Sequence, residues 1–147
     1  MNRSAIAEVL NRDDVRSLVM KDGAFFEAFL GVAIGLYFTS SERMCEFHEL
    51  VVSRLTFEER IRTIEKLPFK KSYKSVAALP VIRQVQQARN IIAHEYFVWQ
   101  GTRRIQNAQW SSLFADYPDS YRKPVALARQ RILRLTGTKE FLELRSK

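Results

Sequence analysis

The sequence has little of three residue types that often define a fold or a site. It contains one cysteine, Cys45, in 147 residues, so no disulfide can form within the chain and a reducing compartment is expected. Its five glycines and four prolines are too few for a loop-rich all-β protein. Two histidines, His48 and His94, together with one cysteine nearly exclude a zinc site of the usual nitrogen and sulfur type.

Long apolar runs are also absent. Residues 1–10 lack the apolar core of a signal peptide. The most apolar stretch, residues 24–38, contains Glu27 and is shorter than the ~20 residues needed to span a bilayer. Gly31 and Gly35 within it are spaced so that two helices could approach closely. We therefore expect a cytoplasmic protein with no membrane partner.

Positive charge is concentrated in the second part of the chain. Residues 1–59 carry 6 Lys and Arg against 10 Asp and Glu, whereas residues 60–147 carry 18 against 6. The net charge is therefore −4 in the first part and +12 in the second. This separation suggests a polyanionic partner, most simply a nucleic acid. A basic surface that serves only solubility would have the same composition.

Apolar residues recur at helical period along nearly the whole chain. The pattern predicts helices over residues 4–19 and 24–38, separated by a break at Asp22-Gly23, and a third helix that opens at Ser40-Ser41. Cys45 on that third helix is expected to be a small buried residue. Thr56 and Glu59 form a predicted capping box, which begins a short helix that ends before Pro68.

Two longer helices are predicted in the second part of the chain. One begins near Pro80 and continues to about Phe97, and the other begins at Tyr117-Pro118-Asp119 and stops at Gly137. Around residues 97–110 the pattern fits either a helix end or a short β-hairpin that pairs 97–99 with 104–106. The predicted fold is a single all-α domain over residues 1–147, a bundle of five to six helices.

The candidate chemistry lies in the long helix that begins near Pro80. At about 100° per residue, its expected buried stripe contains Val81, Val85, Ala88, Ile92, Tyr96 and Trp99. His94 lies about 180° from Val85, so it faces away from the core. Asn90, one turn before His94, can hydrogen-bond to it. Tyr96 lies near the stripe, where a buried structural tyrosine is expected.

Arg89, Asn90 and His94 suit the cleavage of RNA without a metal or another cofactor. Histidine can transfer a proton near neutral pH, and arginine binds phosphate oxygens with a permanent charge. In such a reaction a ribose 2′-hydroxyl attacks the adjacent phosphate while Arg89 stabilises the phosphorane and His94 transfers a proton. One histidine is too few for both acid and base, so a homodimer with one composite site is expected. An ordinary surface histidine at position 94 is the alternative.

The segment Arg89-Asn90-Ile91-Ile92-Ala93-His94 resembles the Arg-(Asn/Asp/His)-x3-His signature of HEPN domains. The resemblance implies an all-α domain whose two copies meet at the motif, and a metal-independent ribonuclease of toxin–antitoxin or anti-phage defence systems. Glu95-Tyr96 extends the pattern to Arg-x4-His-x-Tyr, which is similar to the HepT group of HEPN toxins. That similarity implies a nucleotidyltransferase antitoxin as partner and Tyr96 as a modification site. A non-catalytic HEPN dimer that binds a nucleotide, RNA or a protein partner is the alternative.

Other basic residues are candidates for contacts with RNA phosphates, which would make binding sensitive to salt. These candidates are Lys70, Lys71, Lys74, Arg83, Arg103 and Arg104. A solvated basic surface with no ligand is the alternative interpretation of this group.

Overall fold

The computed structural model describes residues 3–68, 75–99 and 109–137. Within these residues the fold is all-α, as predicted, with six α-helices, three short 3₁₀ helices and no strand. The α-helices are α1 (Arg3–Leu10), α2 (Asp13–Phe38), α3 (Met44–Leu50), α4 (Phe57–Lys66), α5 (Ser75–His94) and α6 (Asp119–Gly137). The 3₁₀ helices are Ser41–Arg43, Val52–Arg54 and Gln109–Phe114. Residues 97–99 form no strand, and the second arm of the predicted hairpin lies outside the described residues.

The chain divides into two compact units. The first contains residues 1–24 and 80–126, and the second contains residues 25–79 and 127–147. Helices α2, α5 and α6 each contribute residues to both units. The single domain over residues 1–147 stays a prediction.

The helix boundaries at the start of the chain differ from the prediction. The break lies at Asn11-Arg12, and α2 continues without interruption through Asp22-Gly23, so the predicted break there is wrong. Asp22 fits inside a helix because the residue is only 2% exposed and its carboxylate accepts a hydrogen bond of 2.7 Å from the Tyr121 hydroxyl. Tertiary structure therefore overrides the tendency of an Asp-Gly pair to form a turn.

The core of the first unit is built from five helical segments, namely parts of α1, α2, α5 and α6 and the 3₁₀ helix Gln109–Phe114. Its buried side chains include Ile6, Leu10, Val15, Val19, Ile82, Val85, Ala88, Ile91, Leu113, Phe114, Tyr121 and Val125. Burial of each large apolar side chain contributes roughly 1.5–3 kcal/mol to folding. This core fixes the rotation of α5 about its own axis. It therefore determines which face of α5 is exposed to solvent.

The second unit contains a buried arginine that ties several segments together. The Arg60 guanidinium donates to the carbonyl oxygens of Glu27, Val52 and Leu55 at 2.8, 3.0 and 3.3 Å. A methyl group at Gly31 would lie 2.9 Å from Arg60 Nη1. The Arg60 side chain therefore occupies the space at Gly31, and a side chain at position 31 would displace it. The close approach of two helices at the glycines of α2 stays a prediction.

The short helices of the second unit agree with the prediction in part. The capping box of Thr56 and Glu59 is present, with hydrogen bonds in both directions, and α4 ends at Lys66, before Pro68. The third helix ends at Leu50, and none of its residues is buried. Cys45 is exposed, so the prediction that it is buried is wrong.

The start of α5 differs from the prediction, whereas α6 begins and ends where it was predicted. The helix α5 begins at Ser75, so Pro80 is an interior residue, and Pro124 is likewise interior to α6. Both lie early in their helices, where the loss of one backbone donor removes a single helical hydrogen bond. The predicted start of α5 near Pro80 is therefore wrong, and the predicted start of α6 at Tyr117-Pro118-Asp119 is confirmed.

Candidate functional site

The candidate site lies at the carboxyl end of α5. His94 is the last residue of the helix, and both His94 and Asn90 are exposed. They are one turn apart and so lie on the same side of the helix. The opposite side carries the buried Val85, Ala88 and Ile92. The prediction that His94 faces away from the core is therefore confirmed.

Arg89 lies in a different environment from His94. It is half-buried, and its Cδ atom would be 2.7 Å from a Cβ atom placed at Gly23 of α2. The absence of a side chain at Gly23 is what gives the stem of Arg89 its room. In a helix, positions 89 and 94 point about 140° apart. One α5 helix therefore presents Asn90 and His94 together on one side, and Arg89 on another.

The chain that leaves His94 is held against the connection between α1 and α2. Asn11 Nδ2 donates to the Val98 carbonyl at 2.9 Å, and the Val98 amide donates to Asn11 Oδ1 at 2.7 Å. Arg16 Nη2 donates to the Glu95 carbonyl at 2.9 Å. Val98 itself is buried. These contacts fix the path of residues 95–99, even though they form no regular secondary structure.

The fixed path exposes three aromatic side chains. Tyr96 is 100% exposed, Trp99 66% and Phe97 49%. The rings of Phe97 and Trp99 contact each other edge to face, with centroids 5.1 Å apart. The predictions of a buried Tyr96 and of Trp99 in the core are wrong, because α5 ends at His94 and not at Phe97. The helical period no longer applies beyond that residue.

The remaining predicted site residues are distributed as follows. Arg83 is half-buried on α5. The other basic candidates, Lys70, Lys71, Lys74, Arg103 and Arg104, lie outside the described residues. In the part of the chain that the structure describes, no group of three or more His, Cys, Asp and Glu side chains could hold a metal ion. No described helix is both long enough and apolar enough to cross a bilayer.

An exposed ion pair lies at the start of α2, next to Asn11. Two nitrogens of Arg12 contact the Asp14 carboxylate, at 3.1 and 2.7 Å. The hydrogen bond from Arg12 lowers the pKa of Asp14, and the same pair raises the pKa of Arg12. The Arg12 guanidinium also lies 5.6 Å from the centroid of the Tyr117 ring. This cation therefore already has two partners within the chain.

Sequence reasoning did not identify the residues that support the site. Asn11 contacts Val98, 87 residues away along the chain, and Arg16 contacts Glu95, 79 residues away. Gly23 of α2 lies against the Arg89 side chain of α5. No local pattern marks such partners, because each acts through a contact that exists only in the folded chain.

Comparison of this chain with models of protein families, with curated proteins and with solved structures finds no match.

Proposed function

We propose that the protein is a metal-independent endoribonuclease of the HEPN type that acts as a homodimer in the cytoplasm. The observation that carries the proposal is the joint exposure of Asn90 and His94 on the last turn of α5, directly before a fixed segment of exposed aromatic residues. An imidazole with an amide one turn away has the groups needed to hold and move a proton beside an RNA phosphate.

In the proposed reaction the RNA cleaves itself at one phosphodiester with the help of two imidazoles. The neutral His94 accepts the proton of the 2′-hydroxyl as that oxygen forms a bond to phosphorus. His94 of the partner subunit, in its protonated form, donates a proton to the 5′-oxygen as the bond from phosphorus to that oxygen breaks. The products are a 2′,3′-cyclic phosphate and a 5′-hydroxyl. Proton exchange with water then restores both imidazoles.

The dimer supplies what one chain lacks. Each chain has a single histidine in this segment, and its Arg89 leaves α5 about 140° from His94. Pairing of two copies through the exposed side of α5, which carries Gln87, Asn90, Ala93 and His94, would bring two imidazoles to one phosphate. The proposed role of Arg89, to stabilise the added negative charge of the phosphorane, comes from the resemblance and not from this pairing.

The test compares the two histidines of the chain. The purified protein, with EDTA present, is incubated with a labelled single-stranded RNA and with DNA of the same sequence. His94→Ala should lower the cleavage rate at least 100-fold, in line with the usual contribution of general acid–base catalysis. His48→Ala is the matched control, because His48 is also exposed but lies on α3. Equal cleavage by His94→Ala and the wild type, or cleavage of the DNA, would refute the proposal.

A second candidate function is RNA or nucleotide binding without cleavage. The exposed Phe97 and Trp99 favour it, since aromatic side chains bind bases whether or not a bond is broken. In that case the purified wild-type protein binds RNA in a salt-dependent way and does not cleave it, and His94→Ala binds equally well.

The proposal extends to a partner that controls the site. The resemblance to HepT toxins suggests a nucleotidyltransferase antitoxin that modifies Tyr96, and the complete exposure of that side chain leaves its hydroxyl accessible. The wild-type protein is co-expressed with a nucleotidyltransferase encoded next to the gene. Its mass should increase by that of one nucleotide, whereas the mass of Tyr96→Phe should not change. Equal mass gains in both proteins would contradict Tyr96 as the modified residue.

A further inference from the structure

We infer that Phe97 and Trp99 form a stacking site for an unpaired nucleobase next to the phosphate that His94 addresses. The inference rests on the proposed action on RNA and adds a specificity for single-stranded substrate. Its basis is the position of the two rings, which follow His94 directly in the chain and remain largely exposed in the fold.

The two rings form an edge-to-face pair and do not stack on each other. Their planes meet at 73° with centroids 5.1 Å apart. Trp99 is 66% exposed, which leaves indole surface for a flat ligand. Every nucleobase has a π face, so such a surface accepts bases with little regard to sequence. A base that is paired in a duplex has its faces already stacked and would have to be unstacked first.

The segment is held in place before any ligand binds. Val98, between the two aromatic residues, makes two hydrogen bonds to Asn11 and is itself buried. Val98 is buried, whereas its two neighbours in the chain, Phe97 and Trp99, are exposed. Because the backbone is already ordered, a ligand would lose less affinity to the ordering of this segment.

A single-stranded nucleic acid fits this surface better than a second copy of the chain. A full aromatic side chain offers roughly 200 Å². Scaled by their exposed fractions, Tyr96, Phe97 and Trp99 together expose on the order of 430 Å². A stable protein interface needs about 800 Å² on each partner. The neighbouring exposed groups are polar, Asn90 and His94, and the chain carries a net charge of +8. A positively charged protein with a small aromatic surface beside polar groups is suited to a polyanion with flat bases.

The experiment measures binding and does not require cleavage. The probe is a short single-stranded 2′-O-methyl oligonucleotide, which lacks the attacking hydroxyl, and its partner probe is the same strand with one abasic position. Trp99 and Trp110 are the two tryptophans of the chain, so a Trp110→Phe background makes Trp99 the sole reporter. We expect the intact strand to quench Trp99 emission and the strand with the abasic position at the site to bind roughly 5- to 100-fold more weakly.

Variants separate stacking from folding and from charge. Trp99→Ala should weaken binding of the intact strand by the same 5- to 100-fold and leave the affinity for the abasic strand unchanged. Trp99→Phe should retain part of the affinity for the intact strand. Phe38→Ala is the matched control, since Phe38 is an exposed aromatic residue, at 55%, at the end of α2. Asn11→Ala, which removes both bonds to Val98, should weaken binding while each protein keeps its helical circular dichroism.

The outcomes distinguish this inference from the proposed function. Base-dependent binding with no cleavage of RNA would support the stacking site and count against the ribonuclease. Cleavage that depends on His94, with Trp99→Ala binding both strands like the wild type, would refute the stacking site alone. A change of Trp99→Ala from dimer to monomer in sedimentation, with unchanged affinity of the monomer for RNA, would also refute it and would assign the aromatic residues to contact between copies.

Discussion

The contact between Gly23 and Arg89 gives the sharpest test of how the fold positions the candidate site. A methyl group at Gly23 would lie 2.7 Å from Arg89 Cδ and 3.3 Å from Cγ. Ordinary contact between carbon atoms begins near 3.5 Å, so the arginine must move by roughly 0.8 Å at Cδ. We expect Gly23→Ala to displace the Arg89 side chain and, under the proposed function, to slow RNA cleavage.

Two opposing terms set the effect of Gly23→Ala on stability. Alanine is favoured over glycine inside a helix by about 1 kcal/mol, and Gly23 lies within α2. Overpacking costs roughly 1–3 kcal/mol, with the lower end expected here because the arginine side chain has rotatable bonds. The substitution should therefore change the free energy of unfolding of the wild type by between zero and about 1 kcal/mol in the destabilising direction.

The prediction becomes decisive when Arg89 is truncated. In an Arg89→Ala background the Cγ and Cδ atoms are gone, and the remaining Cβ atom lies 3.5 Å from the new methyl group, an ordinary contact. Gly23→Ala should then stabilise the protein by about 1 kcal/mol.

Urea unfolding of the four proteins in this cycle measures the coupling energy, which we expect to be about 1–2 kcal/mol. An effect of Gly23→Ala that is the same in both backgrounds within about 0.3 kcal/mol would refute the reasoning.

Three further predictions concern the packing and charge of the fold. Gly31→Ala should lower the free energy of unfolding by roughly 1–3 kcal/mol, because its methyl group meets the buried guanidinium that ties the second unit together. Tyr121→Phe should lower it by about 1–3 kcal/mol, because the buried Asp22 loses the hydrogen bond from the Tyr121 hydroxyl; both are measured by urea unfolding. An NMR titration should give Asp14 a pKa below its ordinary value of 3.8, and Arg12→Gln should raise it. Since that pKa is lowered in the folded state, the stability from this pair is present above the ordinary pKa and is lost as the pH falls through the folded value.

Each of these predictions has a control within the chain. Gly137→Ala is the control for Gly31, because a Cβ atom there meets nothing within 4 Å; equal losses in both variants would contradict a packing effect. Tyr117→Phe is the control for Tyr121, and a loss confined to Tyr117 would contradict the buried hydrogen bond. The Arg12→Gln variant is the control for Asp14, because it removes the hydrogen bond that lowers the pKa of Asp14; an equal Asp14 pKa in this variant and in the wild type would exclude the pair as the cause of the shift.

The parts of the fold that depend on neighbours in sequence were predictable. The capping box of Thr56 and Glu59 closes within one helical turn, so its residues alone are sufficient to identify it. The helical period placed His94 opposite the core for the same reason, since every residue of the last turns of α5 shares one axis. The all-α class follows from that period repeated along the chain.

The end of α5 could not be predicted, and it decides the character of the site. The sequence continues the apolar stripe through Tyr96 and Trp99, which favours a longer helix. The observed chain leaves the helix at His94 and bonds to Asn11 and Arg16 instead. The two aromatic residues therefore face outward beside His94.

The sequence by itself determined the helical class, the exposure of His94 and Asn90, and the concentration of positive charge, because periodicity, capping and composition are local or additive properties. Only the tertiary structure decided that α2 continues through Asp22-Gly23 and that the segment after His94 exposes its aromatic rings. Those features depend on hydrogen bonds and close contacts between residues far apart in the chain. Their free energy exists only once the helices have packed, so no local pattern records it.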